Sequence, residues 1–173
     1  MAMSVYCCET MESIERDVWD RGKTLVQSIL PTGKTACGIP LNPTHFGLPY
    51  EEWIIDVSGG GYTAHAWNKV YTFTVPDNKV YAVKSIFDLT AIPVATKVKF
   101  VAGCNTVLLV DLHEMHVCGC PHIHLNPYMN EIKFYMEGTV VDVYVWLEAK
   151  TDELKLGFDG YVFESCCTTI SGA

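Results

Sequence analysis

Between residues 69 and 163 the chain alternates apolar and polar side chains with a period of two, and this rhythm limits the possible folds more than any other feature. Lys69-Val70-Tyr71-Thr72-Phe73-Thr74-Val75 sets Tyr71, Phe73 and Val75 on one face. Val98 and Phe100 oppose Lys97 and Lys99, while Ile132, Phe134 and Met136 oppose Glu131, Lys133 and Tyr135. Val141, Val143, Val145 and Leu147 oppose Asp142, Tyr144, Trp146 and Glu148. Successive side chains of a strand point to opposite faces, so each run reads as a half-buried strand. Further strands are expected around Trp53 to Val57, Val80 to Phe87, Thr106 to His113 and Leu154 to Phe163. Turn-forming residues separate the runs at Ser58-Gly59-Gly60-Gly61, Pro76-Asp77-Asn78, Gly103, Asn126-Pro127 and Glu137-Gly138. Short strands, regular turns and no intervening helix predict a mainly β fold: a single antiparallel β-sandwich of jelly-roll type.

Ahead of the strands the pattern differs. Met11, Ile14, Val18, Leu25 and Ile29 recur at helical spacing, which predicts an amphipathic helix over Thr10 to Leu30 with Thr10 as its cap. Pro31 and Gly33 end it, and Pro40, Pro43 and Pro49 with Gly38 and Gly47 continue as an extended arm without period, expected to lie across its own sheet or a neighbouring subunit. The organisation is thus helix and interaction arm over 1–50, sandwich over 51–164 and a short tail over 165–173. A length of 173 residues with 49% hydrophobic and 18% charged side chains suits one core-burying domain. The net charge of −8 and the lack of a Lys/Arg cluster argue against nucleic acid as a partner. The first residues lack the basic start and apolar core of a secretory signal, and no apolar run reaches membrane-spanning length. The expectation is synthesis in a cytosol with no membrane partner.

Eight cysteines in such a chain need a reason, because reducing compartments keep thiols open. Cys7-Cys8 and Cys166-Cys167 are adjacent pairs. Neighbouring Cα atoms lie about 3.8 Å apart, short of the roughly 4.4–6.8 Å that a disulfide prefers, so neither pair closes on itself. Cys7, Cys8, Cys166 and Cys167 are therefore expected to hook neighbouring subunits through intersubunit disulfides. Cys37 on the arm and Cys104 after Gly103 read either as buried thiols or as anchors of the arm, and Cys118 and Cys120 as further disulfide candidates.

The densest chemistry is His113, His116, Cys118, Cys120, His122 and His124. Imidazole and thiolate suit zinc, but the spacing matches neither HExxH nor a two-residue Cys gap, and extended residues two apart lie about 6.6 Å from one another. A zinc- or iron-binding domain, cupin-like through His122-Ile123-His124, is the alternative this cluster supports; the expectation is no cofactor. A cupin also needs a glutamate three or four residues on, and the next is Glu131. No GxSxG elbow or cysteine-protease signature occurs, and Pro31-Thr32-Gly33-Lys34-Thr35 has Ser28 where a phosphate-binding loop needs its first glycine. No catalytic residue is assigned. Trp53, Trp67 and Trp146 allow a third reading, a carbohydrate-binding module, although tryptophans in sandwiches more often fill cores or interfaces.

The run Phe73-Thr-Val-Pro-Asp-Asn-Lys-Val-Tyr81-Ala-Val-Lys-Ser-Ile-Phe87-Asp-Leu89, then Val98-Lys-Phe100 and Glu137-Gly-Thr-Val-Val-Asp-Val-Tyr-Val-Trp146, resembles accessory virion proteins of tailed bacteriophages over roughly residues 50 to 164. The resemblance implies a β-sandwich that decorates the capsid or surrounds the neck, collar or tail. It implies a non-enzymatic structural role in the virion, after synthesis in the host cytoplasm. The partners would be copies of itself and other virion proteins, such as a major capsid, linking or sheath protein. As a tail component, the carbohydrate-binding alternative would sit in the same particle.

Overall fold

A computed structural model describes residues 2–48, 52–55, 61–112, 132–151 and 153–166, without the side chains of residues 2–12, 14, 85 and 87. Among the described residues the α-helix α1 (Ala2–Ile29) precedes eight strands: β1 (Ala36–Pro40), β2 (Ala66–Thr74), β3 (Val80–Asp88), β4 (Ala95–Ala102), β5 (Asn105–Asp111), β6 (Lys133–Tyr135), β7 (Val140–Leu147) and β8 (Leu156–Ser165), with a 3-10 turn at Pro43–Phe46 after β1. They form two four-stranded sheets ordered β1-β8-β3-β6 and β2-β7-β4-β5. The antiparallel pairs β1–β8, β2–β7, β3–β6 and β4–β5 are those of one long hairpin rolled over itself, with β3–β8 and β4–β7 closing the sheets. This is the eight-stranded jelly roll expected from the alternation.

The space between the sheets is filled. Val98, Phe100, Val141, Val143, Val145 and Leu147 point inward from one sheet and meet Tyr81, Val83, Ile86, Leu156, Phe158 and Val162 of the other. Rings of Phe46, Phe73, Phe100, Tyr135 and Phe158 interlock at centroid distances of 5.0–6.2 Å, in the tilted and edge-on geometries that aromatic quadrupoles favour.

The first sheet is buried on its outer face as well. Val80, Ala82, Ile132 and Phe163 point away from the interior and pack under α1, against Val18 and Val26 with Trp19, Leu25 and Ile29. A strand covered on both faces loses its alternation, which is why Val80-Tyr81-Ala82-Val83 is apolar throughout. Trp19 meets Tyr161 and Phe163 edge-on at 5.3 and 5.9 Å. Gln27 ties the end of the helix to β1, donating to the Lys34 carbonyl and accepting from the Ala36 amide.

Two expectations are corrected, and of the two courses expected for the arm the one along its own sheet is found at β1. The helix begins at Ala2, not Thr10: residues 2–9 contain no Gly or Pro, so a capping residue at Thr10 does not stop it. The Pro-rich arm contains a strand, β1, along the edge of its own sheet beside β8. The stretch from Trp53 is no strand, for residues 52–55 are irregular and Trp53 packs by its ring on Phe46 and Phe158; residues 56–57 lie outside the described residues.

Candidate functional site

The two outer faces of the sandwich differ. One lies under α1; on the other, formed by β2, β7, β4 and β5, alternation carries the side chains opposite the core outward. Register places Trp67 beside Trp146 and Trp146 beside Lys97, and in the next outward row Lys69, Tyr144 and Lys99. The two indoles meet edge-on at 5.8 Å. Lys99 lays its ammonium over both Trp67 and Tyr144, 4.5 and 5.2 Å from the ring centres, a cation–π arrangement.

Around the rings, two carboxylates are engaged by neighbouring donors. Lys69 Nζ contacts Asp142 Oδ1 at 2.8 Å, and Thr72 Oγ1 donates to the same oxygen at 2.7 Å. These bonds, Lys69 foremost, hold the Asp142 carboxyl below the usual range and raise Lys69. Glu148 Oε1 accepts from Trp146 Nε1 at 3.0 Å and Thr96 Oγ1 at 3.2 Å, and its Oε2 lies 3.1 Å from His65 Nδ1. Slight burial pushes Glu148 up, but hydrogen bonds from Thr96, His65 and Trp146 outweigh it, so the carboxyl titrates low.

The surface is therefore aromatic, with its two carboxylates engaged and the Lys99 ammonium lying over the rings. Trp146 has its N–H committed to Glu148, and one face of Trp67 is taken by Lys99. The partly exposed rings of Trp67, Tyr144 and Trp146 are the part of this face most favourable to cover with another protein surface.

The sequence-predicted residues divide. Cys166, expected to hook a neighbour, is bonded to Cys37 of the same chain with Cα atoms 4.9 Å apart. The ladder explains this: Cys37 pairs with Glu164, and the Cys166 amide donates to the Thr35 carbonyl at 2.7 Å, bringing the two cysteines within reach diagonally across β1 and β8. Cys104 is an exposed free thiol in the β4–β5 turn. Cys7 and Cys8 lie on the backbone of α1 with side chains outside the described residues. Cys167 and the cluster of His113, His116, Cys118, Cys120, His122 and His124 also lie outside them. Among the described residues no three His, Cys, Asp or Glu side chains converge on a metal position. Of the tryptophans, Trp67 and Trp146 share the outer face and Trp53 joins the core.

One cluster escaped the sequence reading. Lys84, 5% exposed, reaches Glu15 of α1 by a direct hydrogen bond and Asp159 at 3.4 Å, beneath the Tyr161 ring. A lone lysine in the apolar run Val80 to Phe87 was its only signal. No protein-family model, curated protein or solved structure matches the chain.

Proposed function

We propose that the chain is a non-enzymatic structural component of a bacteriophage particle, a minor capsid, decoration or collar protein that acts by packing against its neighbours. The observation that carries this reading is the eight-strand jelly-roll pairing around an interior filled by aromatic rings. Jelly rolls recur in viral capsid, lectin and cupin domains. A cupin-like centre needs a hollow between the sheets, and Phe73, Phe100, Tyr135 and Phe158 occupy that space. A lectin-like site needs free ring faces and donors, which the Lys99 and Glu148 contacts reduce. What the fold offers is a rigid body with one face under its own helix and the other bearing Trp67, Tyr144 and Trp146. Aromatic residues of this kind dominate the energetics of protein contacts.

The test is composition followed by substitution. Phage particles purified on a density gradient should hold the chain in a fixed ratio to their shell protein by quantitative mass spectrometry. A Trp67→Ala/Trp146→Ala chain should keep its circular dichroism spectrum and fall ~10-fold or more in the particles. A chain found only in the soluble fraction, or a double variant incorporated at the normal ratio, would overturn the reading.

A further inference from the structure

We infer that two copies of the chain associate edge to edge through β5, joining their outward sheets into one eight-stranded sheet. This goes beyond the reading above and stands whether or not the chain belongs to a particle. A strand at a sheet edge presents unpaired N–H and C=O groups, and proteins guard such edges with Lys, Pro or very short strands. Among the described residues the sandwich has four edge strands. β1 carries Pro40 and is tied by the Cys37–Cys166 disulfide. β6 is three residues long and includes Lys133. β2 carries exposed Lys69 beside its register break.

β5, Asn105-Thr-Val-Leu-Leu-Val-Asp111, has neither Lys nor Pro, and among the described residues no strand pairs with its outer side. Its register breaks opposite Val107, leaving Leu108 to Asp111 regular. Leu109, 55% exposed, stands in the middle of that regular stretch and points to solvent.

An antiparallel two-fold centred on Leu109 is self-complementary. It sets Leu109 against Leu109 of the second copy on the outer face. Leu108 meets Val110 of the second copy on the inner face, where both are already buried within the single chain. The two Asp111 carboxylates fall about 14 Å apart by strand geometry, beyond the ~10 Å screening length at moderate salt, so no like charges oppose one another. The ladder is short, and the dimer it makes is of the weak class, populated at concentrations on the order of 100 µM.

Sedimentation velocity of the full chain, its free thiols alkylated, should show monomer giving way to dimer as concentration rises into that range. Leu109→Lys, at an exposed position that the fold tolerates, should weaken the dimer ~10-fold or more by placing two ammonium groups face to face. Facing residues lie about 4.5–5.5 Å apart between Cα atoms, within disulfide reach. In a separate run without alkylation, Leu109→Cys in a Cys104→Ser background should cross-link to itself on mild oxidation, and Thr106→Cys in the same background should not. A wild-type chain that stays monomeric throughout, a dimer indifferent to Leu109→Lys, or cross-linking no faster at position 109 than at 106 would each overturn the inference.

Discussion

At the scale of single residues, Lys84 shows how the sandwich and its helix are joined. It is the extra residue at the register break between Val83 and Ser85 and points outward under α1 as Val80 and Ala82 do, while the break lets Ile86 beyond it return to the interior. Burial alone lowers its pKa, but the Glu15 hydrogen bond and the Asp159 charge more than offset this and leave it raised, so the lysine stays charged. Tyr161 completes the group by donating to Glu15 at 3.3 Å. Lys84→Ala leaves two carboxylates facing each other at the helix–sheet seam and should cost about 2–4 kcal/mol by urea denaturation. Glu15→Gln with Lys84→Met should recover more than half of that loss; a loss under about 0.5 kcal/mol for Lys84→Ala would show the seam to be held by packing alone. His45 gives a pH dependence. Its Nδ1 accepts from the Asn42 amide at 3.0 Å, and burial, then the Lys79 charge, hold its pKa below the ordinary 6.5. The unfolded chain therefore takes up a proton before the folded one does. Stability is full above pH 6.5 and falls as pH drops from there through the lower folded value. The urea midpoint should decline over that window in the wild type and stay flatter in His45→Gln; identical profiles would remove His45 from the account.

At the scale of elements, the docking of α1 turns on Gly22. A Cβ there would sit 2.1–2.4 Å from the Phe163 ring, so the helix approaches β8 as closely as it does only because this position is glycine. Alanine is worth about 1 kcal/mol more than glycine within a helix, yet Gly22→Ala should lower stability by a net 1–3 kcal/mol, roughly the range of overpacked cores. Phe163→Leu in that background should return part of the loss in thermal melts, and a Gly22→Ala chain as stable as wild type would mean that the helix can shift without cost. The elements were legible to different degrees for related reasons. β4 and β7 are buried on one face, so alternation showed which of their residues face the core; β3 and β8 are covered on both, and their near-continuous apolar runs hid which residues face α1. Trp53 imitated a strand because ring packing on Phe46 and Phe158, not a ladder, holds it. The outer face was legible as alternating positions but not as a surface, since only register across β2, β7 and β4 brings Trp67, Trp146 and Lys99 together.

At the scale of the whole molecule, the Cys37–Cys166 bond spans a sequence separation of 129 and ties the first strand to the last, the step that closes the rolled hairpin. Sequence spacing argues against a bond within each adjacent pair, but the partner of Cys166 depends on β1 lying beside β8, a contact set by the finished topology. A cross-link over so long a loop acts chiefly on the unfolded chain, where the loop-entropy model assigns it about 4–5 kcal/mol. Cys37→Ser/Cys166→Ser should fold to the same sandwich but lose about 3–5 kcal/mol. Its denaturant m-value should be larger, because an unfolded chain freed of the cross-link exposes more surface. Equal stability with an unchanged m-value would mean that the ladder alone closes the roll. The pairing also limits how copies can be joined covalently. Peptide mapping of non-reduced protein should find Cys166 linked to Cys37 of the same chain, so that any disulfide between copies must use other cysteines; a Cys166 peptide linked to another molecule in the native assembly would show that the roll opens on assembly.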